Sequence, residues 1–367
     1  MAADPPRVVF VIGGLGSGGS ETQLTEFLLH AHPHAVRAEV LVLAGEPSPR
    51  RERLEARGVR VWEVQEGHHR GAVYAAHMAA GVVRHISRLR PAAVYAWLEE
   101  SALFAAPATW ALGVPLIVAR RNVIGAQIEQ RGRPIRAAIQ SAERRGVVVT
   151  VNSEAGRIFA ERRGIDPARI RVVYNGHQAV PMLPMPAEGP FTFGYLARMR
   201  PEKGHARLVD VLRRIPADVR IRVVLGGDGP LMERTQGAVA DAALGERVRF
   251  AGAVGDVRAF WSRCHAALLL SDHEGQPNSL IEAAMAGRAA ISTAVGGSPE
   301  VVLPDGGFVV PPDDPRGIAA CIEQLASEPG LAARLGAAAY RQSAERFSMQ
   351  RSVNGHLAAI AEALASR

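Results

Sequence analysis

The chain has 367 residues, 48% hydrophobic and 22% charged, with a net charge of +7. This ordinary globular balance excludes a disordered chain, and at roughly 100–200 residues per domain it suggests two domains. Aromatics are only 5% and no zinc-finger or single-strand-reading motif accompanies the charge, so nucleic acid is set aside in favour of nucleoside diphosphates or acidic lipid headgroups.

In chain order, Val8–Ile12 reads as a continuous apolar strand, followed by the glycine-rich turn Gly13–Gly19 and a helix over Glu21–His30 that Ser20 can cap. A strand at Val40–Leu43, a helix at Arg51–Arg57, a strand at Val59–Val64 and a helix at Ala72–Leu89 come next. Further strands are expected at Ala93–Ala96, Leu116–Ala119, Val147–Val151 and Val172–Asn175. The charge-free stretch Ala102–Ala119 nears a membrane span in length, but Pro107, Gly113 and Pro115 break it into a buried helix, a turn and a strand. Residues 177–190 contain four prolines and no helical period, which predicts a linker. A second set follows, with strands at Phe191–Leu196, Arg222–Leu225, Val248–Ala251, Ala267–Leu270 and Ala289–Thr293, and the last forty residues read as helices.

Continuous apolar strands alternating with helices indicate an α/β chain with parallel sheets covered on both faces. Ligands of such sheets sit at the carboxyl ends of strands, so the informative residues should lie just after them. Met1–Arg7 lacks the features of a signal peptide. Two distant cysteines, Cys264 and Cys321, fit a reducing compartment, so a cytoplasmic location is expected.

Three segments carry chemistry. Gly14, Gly16 and Gly19 keep a GxGxxG spacing between strand and helix, where backbone N–H groups can approach a phosphate; a tight turn without a ligand is the alternative. No lysine follows Gly18, which excludes a Walker A loop. No acid closes the second strand, because Ala44 and Gly45 stand there and Glu46 comes late, which argues against a dinucleotide. Arg198 and Lys203 follow the first strand of the second set, and a guanidinium fork beside an ammonium suits a diphosphate leaving group; a solvated basic loop is the alternative. In Glu274-Gly275-Gln276-Pro277-Asn278-Ser279-Leu280-Ile281-Glu282, one carboxylate after a strand can meet sugar hydroxyls, and a second in the first helical turn can hold ribose. Ser279 to Glu282 is also a capping box, a purely structural role for Glu282.

The Arg198/Lys203 loop, the turn Gly226-Gly227-Asp228-Gly229-Pro230, the glutamate pair and the turn Gly296-Gly297-Ser298-Pro299-Glu300 occur in this order in retaining GT-B glycosyltransferases of family 4, and the opening Gly18-Gly19-Ser20-Glu21 resembles that family's N-terminal loop. The resemblance spans nearly the whole chain. It implies a GT-B architecture, two doubly wound Rossmann-like domains facing across a cleft. The expected parts are an acceptor-side domain over 1–176, the linker 177–190, a nucleotide-sugar domain over 191–349 and a C-terminal helix over 350–367 crossing back to the first domain. It also implies retaining transfer of a hexose or N-acetylhexosamine from a nucleoside diphosphate sugar, UDP being the expected nucleotide, to a glycan, lipid-linked or small-molecule acceptor.

By the same resemblance, Arg198 and Lys203 grip the diphosphate, Glu274 meets the sugar near the reacting carbon with help from the backbone segment Gly275, Gln276, Pro277 and Asn278, in which Pro277 has no N–H to donate, and Glu282 holds the ribose. Gly14 and Gly16 approach the phosphates, Ala253 and Val254 read the base edge, and neither metal nor cofactor is expected. One position departs from the pattern: where many members carry a histidine after the strand Leu116–Ala119, this chain has Arg120-Arg121-Asn122. These are the acceptor-side candidates, the arginines facing an acceptor phosphate or lying on a surface loop. His68, His69 and His77 match no metal spacing. The arginines of Gly132–Gly146 make a basic amphipathic helix that can contact an anionic membrane, which suits the inner face of the cell membrane; a solvated helix face is the alternative. An epimerase of the same fold and a silent nucleotide-sugar-binding module are the rival readings.

Overall fold

The computed structural model describes residues 4–16, 18–45, 47–64, 71–121 and 132–366. Its contacts divide the chain into two compact units, Met1–Gly176 with Met349–Arg367, and His177–Ser348.

The first unit runs β1 (Arg7–Ile12), α1 (Gly19–Ala31), β2 (Arg37–Val42), α2 (Pro49–Ala56), β3 (Arg60–Glu63), α3 (Gly71–Leu89), β4 (Ala93–Trp97), α4 (Glu99–Leu112), β5 (Leu116–Arg120), α5 (Arg133–Arg145), β6 (Val148–Val151), α6 (Glu154–Arg162) and β7 (Ile170–Val172). All strands are parallel, in the order β3-β2-β1-β4-β5-β6-β7. Strand alternation sorts the core: Val8, Phe10 and Ile12 join one cluster with Leu24, Phe27 and Leu28 of α1, while Val9 and Val11 join a second with Met78 and Val82 of α3. The charge-free stretch is the helix α4 through Pro107, a left-handed turn at Gly113, and β5. Ser20 does not cap α1: Gly18 takes the N-cap position and makes no side-chain bond.

The second unit runs β8 (Phe191–Leu196), α7 (His205–Leu212), β9 (Ile221–Gly226), α8 (Met232–Asp241), β10 (Val248–Gly252), α9 (Val257–Trp261), β11 (Ala266–Leu269), α10 (Asn278–Met285), β12 (Ala289–Thr293), α11 (Ser298–Val301), β13 (Gly307–Val310), α12 (Pro315–Ser327) and α13 (Pro329–Arg346). Its parallel sheet has the order β10-β9-β8-β11-β12-β13. Residues 178–190 form neither helix nor strand and are fastened to this unit: Arg288 donates to Pro184 O (2.6 Å), Arg258 to Pro181 O (2.9 Å) and Tyr340 to Val180 O (3.0 Å). The last helix, α14 (Met349–Ala365), buries Val353, Ala359 and Ile360 in the first unit's core beside α1.

In each sheet the winding reverses once, between β1 and β4 and between β8 and β11. At such a switch point the loops leave in opposite directions and open a crevice at the strands' carboxyl ends. The Arg198–Lys203 and Ser271–Glu274 segments follow β8 and β11.

Candidate functional site

The β8 loop passes through Ala197–Arg200 into a single tight turn at Pro201–Lys203 and then Gly204. Gly204 is required there twice over: its φ is 65°, and a Cβ would lie 1.8 Å from Leu270 O. Arg198 is exposed, and its guanidinium makes no ion pair or hydrogen bond among the described residues. Lys203 turns toward the β11 loop, where Nζ donates to Glu274 Oε1 at 2.6 Å; the Ser271 hydroxyl donates to the same oxygen at 2.7 Å. Glu274 is nearly buried, with 8% of its side chain exposed against 24% for Lys203.

The β11 loop is strapped down. Leu270 N donates to Tyr195 Oη (2.9 Å), Tyr195 Oη donates to Lys203 O (2.5 Å), Arg207 donates to Leu270 O and to Asp272 Oδ1 (both 2.6 Å), and Thr293 Oγ1 donates to Ser271 O (2.6 Å). The Gly296-Gly297 turn backs the same loop, with Gly297 N donating to Gly275 O at 2.9 Å.

Glu282 is the fifth residue of α10, one turn deeper than the first-turn position expected. The capping box does not form, because Pro277 occupies the N-cap position and no side-chain cap bond is made. The Glu282 carboxylate has no ion-pair or hydrogen-bond partner among the described residues, and burial pushes it up to about 7. Gln276 is buried, and Asn278 Oδ1 faces His177 Nε2 at 3.4 Å. Burial lowers His177 to about 4, so the imidazole is neutral. Ala253 and Val254 follow the edge strand β10, Ala253 exposed and Val254 packed beside Gly226 at the end of β9.

In the first unit, Gly14 is half-buried and Gly16 exposed at the end of β1, ahead of the uncapped start of α1. Ser17, Asn122, His68 and His69 lie outside the described residues; His77 is an exposed residue of α3. Arg120 and Arg121 are not surface arginines: only 3% and 4% of their surfaces are exposed. Arg120 ends β5 and is paired with Glu143 of α5 and, at 3.6 Å, with Glu99 of α4. Arg121 lies over the Trp97 ring at 4.2 Å and donates to Asn175 Oδ1 (3.2 Å) and His356 Nε2 (3.0 Å). Burial and Arg121 hold His356 well below its ordinary value. With Nε2 accepting from Arg121, Nδ1 carries the proton and donates to Tyr95 Oη at 2.8 Å. Both guanidinium groups thus meet partners inside the first unit, and neither arginine takes the surface position, one of the two expectations for them. Among the described residues, no group of three His, Cys, Asp or Glu side chains could hold a metal ion. Among them too, no helix is long and apolar enough to cross a membrane.

Two family models match: "Glycosyl transferase 4-like domain" over residues 18–176 and "Glycosyl transferases group 1" over 185–342. The chain belongs to the GT-B glycosyltransferases of family 4 type. It is 28% identical over 181 residues to the lipopolysaccharide core biosynthesis glycosyltransferase LpsE of Rhizobium meliloti (49% of this chain, 52% of that protein). It is also 28% identical over 247 residues to the Vi polysaccharide biosynthesis protein VipC/TviE of Salmonella typhi (60% of this chain, 42% of that protein). The matches therefore span about half or less of these curated relatives' length. Among solved structures, Anabaena HepE in complex with UDP-glucose superposes with a TM-score of 0.83 at 21% identity, covering 99% of this chain and 100% of that one. The lipopolysaccharide outer core galactosyltransferase WaaB gives 0.76 at 19% identity, covering 96% and 99%. At these identities the superpositions establish the GT-B fold.

Within this GT-B chain several site neighbours escaped sequence reasoning. Tyr195, Arg207, Ser271 and Thr293 strap the Glu274 loop, yet Tyr195, Arg207 and Thr293 are ordinary residues of a strand or helix and Ser271 is an unmarked residue of the loop after β11. Arg50 is another: it reaches from α2 to Gly16 O (2.7 Å) and Thr22 Oγ1 (2.8 Å), closing over the glycine loop. A backbone signal was also hidden. Leu98, between β4 and α4, has φ 82° and ψ 147°, a region that favours glycine, and it stands at the first unit's switch point.

Proposed function

We propose that the protein transfers a hexose or N-acetylhexosamine from a UDP-sugar to a glycan or lipid-linked acceptor, with retention of anomeric configuration. The observation that carries this reading is the set on the segments that follow β8 and β11: Lys203 on Glu274, an exposed Arg198, and the Glu282 carboxylate in α10, the last two without a partner among the described residues. Arg198 and Lys203 neutralise the diphosphate as the bond from the anomeric carbon to the β-phosphate oxygen breaks. Glu274 accepts from a sugar hydroxyl and offsets positive charge at that carbon, and Glu282 accepts from the ribose diol. Backbone amides of Gly275, Gln276 and Asn278 add donors, and Gly14 and Gly16 provide a close backbone approach in the first unit. Ala253 and Val254 border the base. The acceptor oxygen bonds to the anomeric carbon on the face the phosphate leaves, and its proton passes to the departing phosphate oxygen. No residue is assigned to metal binding.

The UDP and UDP-glucose complexes of Anabaena HepE support uracil as the base. The relatives of lipopolysaccharide and Vi polysaccharide biosynthesis support a glycan acceptor. The basic helix α5 supports contact with an anionic lipid surface, and free Cys264 and Cys321 support a reducing compartment. A thermal-shift screen against UDP, GDP, ADP, dTDP and NAD, repeated with E282A, tests the reading. A saturating ligand at a hundredfold excess over its Kd stabilises the native state by about 2.7 kcal/mol. A shift with UDP that E282A abolishes is the expected result. A shift with NAD alone, or with none of the five, overturns it, and UDP binding without turnover of any UDP-sugar leaves a silent module.

A further inference from the structure

We propose that Ser271 is the positioning residue for Glu274: its hydroxyl keeps the carboxylate in place when Lys203 leaves it for the donor's diphosphate. This rests on the donor-site reading above. Glu274 Oε1 accepts two bonds, from Lys203 Nζ at 2.6 Å and from Ser271 Oγ at 2.7 Å, and Oε2 has no partner among the described residues.

The two donors are tethered very differently. The Lys203 ammonium is partly exposed on a flexible four-carbon stem, so it can change partners with little else moving. Ser271 is fully buried, with a single heavy-atom torsion, and its backbone is held on every side. Thr293 Oγ1 donates to its carbonyl at 2.6 Å. The preceding residue is fixed by Tyr195 and Arg207, and the following one by Asp272 N donating to Glu202 O at 2.9 Å. A diphosphate carries more charge than one carboxylate and so draws the ammonium away. Among the described residues Ser271 is then the donor left on Oε1, and Oε2 remains available to the sugar. Nucleotide affinity therefore depends on Lys203, while discrimination between UDP and UDP-sugar depends on Ser271 acting through Glu274.

The split gives the test. The full-length protein and its S271A and S271T variants are titrated calorimetrically with UDP, UDP-glucose and UDP-N-acetylglucosamine, with Tm recorded for each. S271A is expected to leave the UDP Kd within about twofold and to weaken the better UDP-sugar about tenfold, the effect of losing one hydrogen bond to a charged group. S271T restores the sugar's affinity. The proposal is overturned if S271A binds every ligand as the wild type does, if UDP and UDP-sugar weaken together with a falling Tm, or if the wild type binds UDP but neither conjugate. A wild type that binds no uridine nucleotide overturns the donor-site reading itself, and Ser271's role with it.

Discussion

Lys203 Nζ stands 2.6 Å from Glu274 Oε1, so the cation assigned to the diphosphate and the carboxylate assigned to the sugar neutralise each other in the free protein. Donor binding is then an exchange of partners rather than the filling of an open charge. Replacing the carboxylate by an amide frees the ammonium in advance. E274Q is expected to bind UDP about fivefold more tightly than wild type, the worth of a partly exposed ion pair. The same variant loses turnover of UDP-sugars by about a hundredfold, because charge at the reacting carbon is no longer offset. Calorimetry with UDP reads the first effect and UDP release the second. Weaker UDP binding by E274Q would show that Glu274 supports the nucleotide directly and that no exchange occurs.

Glu282 carries a pH dependence whose sign is fixed by its surroundings. Burial, without a compensating donor, raises it from 4.5 to about 7. Between those values the unfolded chain has lost this proton while the folded protein keeps it. Stability from this group is therefore full below pH 4.5, declines as pH rises to about 7 and is flat above. With its partial exposure allowed for, the decline is on the order of 2 kcal/mol. E282Q cannot ionise, so its Tm advantage over wild type should grow across that window. The ligand dependence runs the other way. Ribose hydroxyls donate to the ionised form, so UDP affinity should fall as pH drops below about 7, and E282Q should flatten the profile. A UDP affinity independent of pH in the wild type would remove Glu282 from the ribose.

Gly296 has φ 51°, and a Cβ there would lie 1.7 Å from Glu274 O. G296A must both strain the backbone and displace the Glu274 carbonyl, so it should destabilise by about 2 kcal/mol or more. Its UDP-sugar affinity should fall toward that for UDP. Thermal unfolding and paired titrations check this, and a G296A protein with wild-type Tm would mean the turn relaxes without disturbing Glu274.

The positions of Arg198, Lys203 and Glu274 were legible because a parallel sheet delivers functional loops after its strands, and continuous apolar runs marked those strands. Their pairing was not legible: Lys203 and Glu274 are 71 residues apart, and only the adjacency of β8 and β11 joins them. The Ser279–Glu282 capping box misled because the pattern ignores Pro277, which takes the N-cap ahead of it. Arg120 misled for an electrostatic reason. An arginine after a strand reads as exposed, unless a carboxylate 23 residues on, Glu143, comes in from the neighbouring helix to meet it. The strand β13 went unread because it has four residues, begins with glycine and follows a turn without a marked apolar run.

The surface of α5 tests contact with anionic lipid. Arg133, Arg144 and Arg145 are exposed, and the helix's one carboxylate, Glu143, is fully buried against Arg120. Each arginine near an anionic surface contributes about 1 kcal/mol, screened by salt. The protein should co-sediment with phosphatidylserine-rich vesicles at low salt, release at high salt, and lose binding in an R133E/R136E variant. Absence of low-salt binding would leave α5 a solvated face.

Arg120 separates a structural from an acceptor-side role. It is buried with Glu143 and Glu99, and burial raises Glu99 above its ordinary value. Removing the arginine leaves Glu99 in the interior without the cation it faces, and Glu143 with the more distant Arg163 at 4.0 Å. R120M should therefore lose about 3–5 kcal/mol, the usual penalty for orphaning half of a buried ion pair. Removing Glu143 as well takes away one of the two buried carboxylates, so R120M/E143L should recover part of that loss. UDP affinity per folded molecule should be the same in all three proteins. If Arg120 instead gripped an acceptor phosphate, R120M would keep its Tm and lose only transfer, and E143L would rescue nothing. Chemical denaturation of the single and double variants distinguishes the two without knowledge of the acceptor.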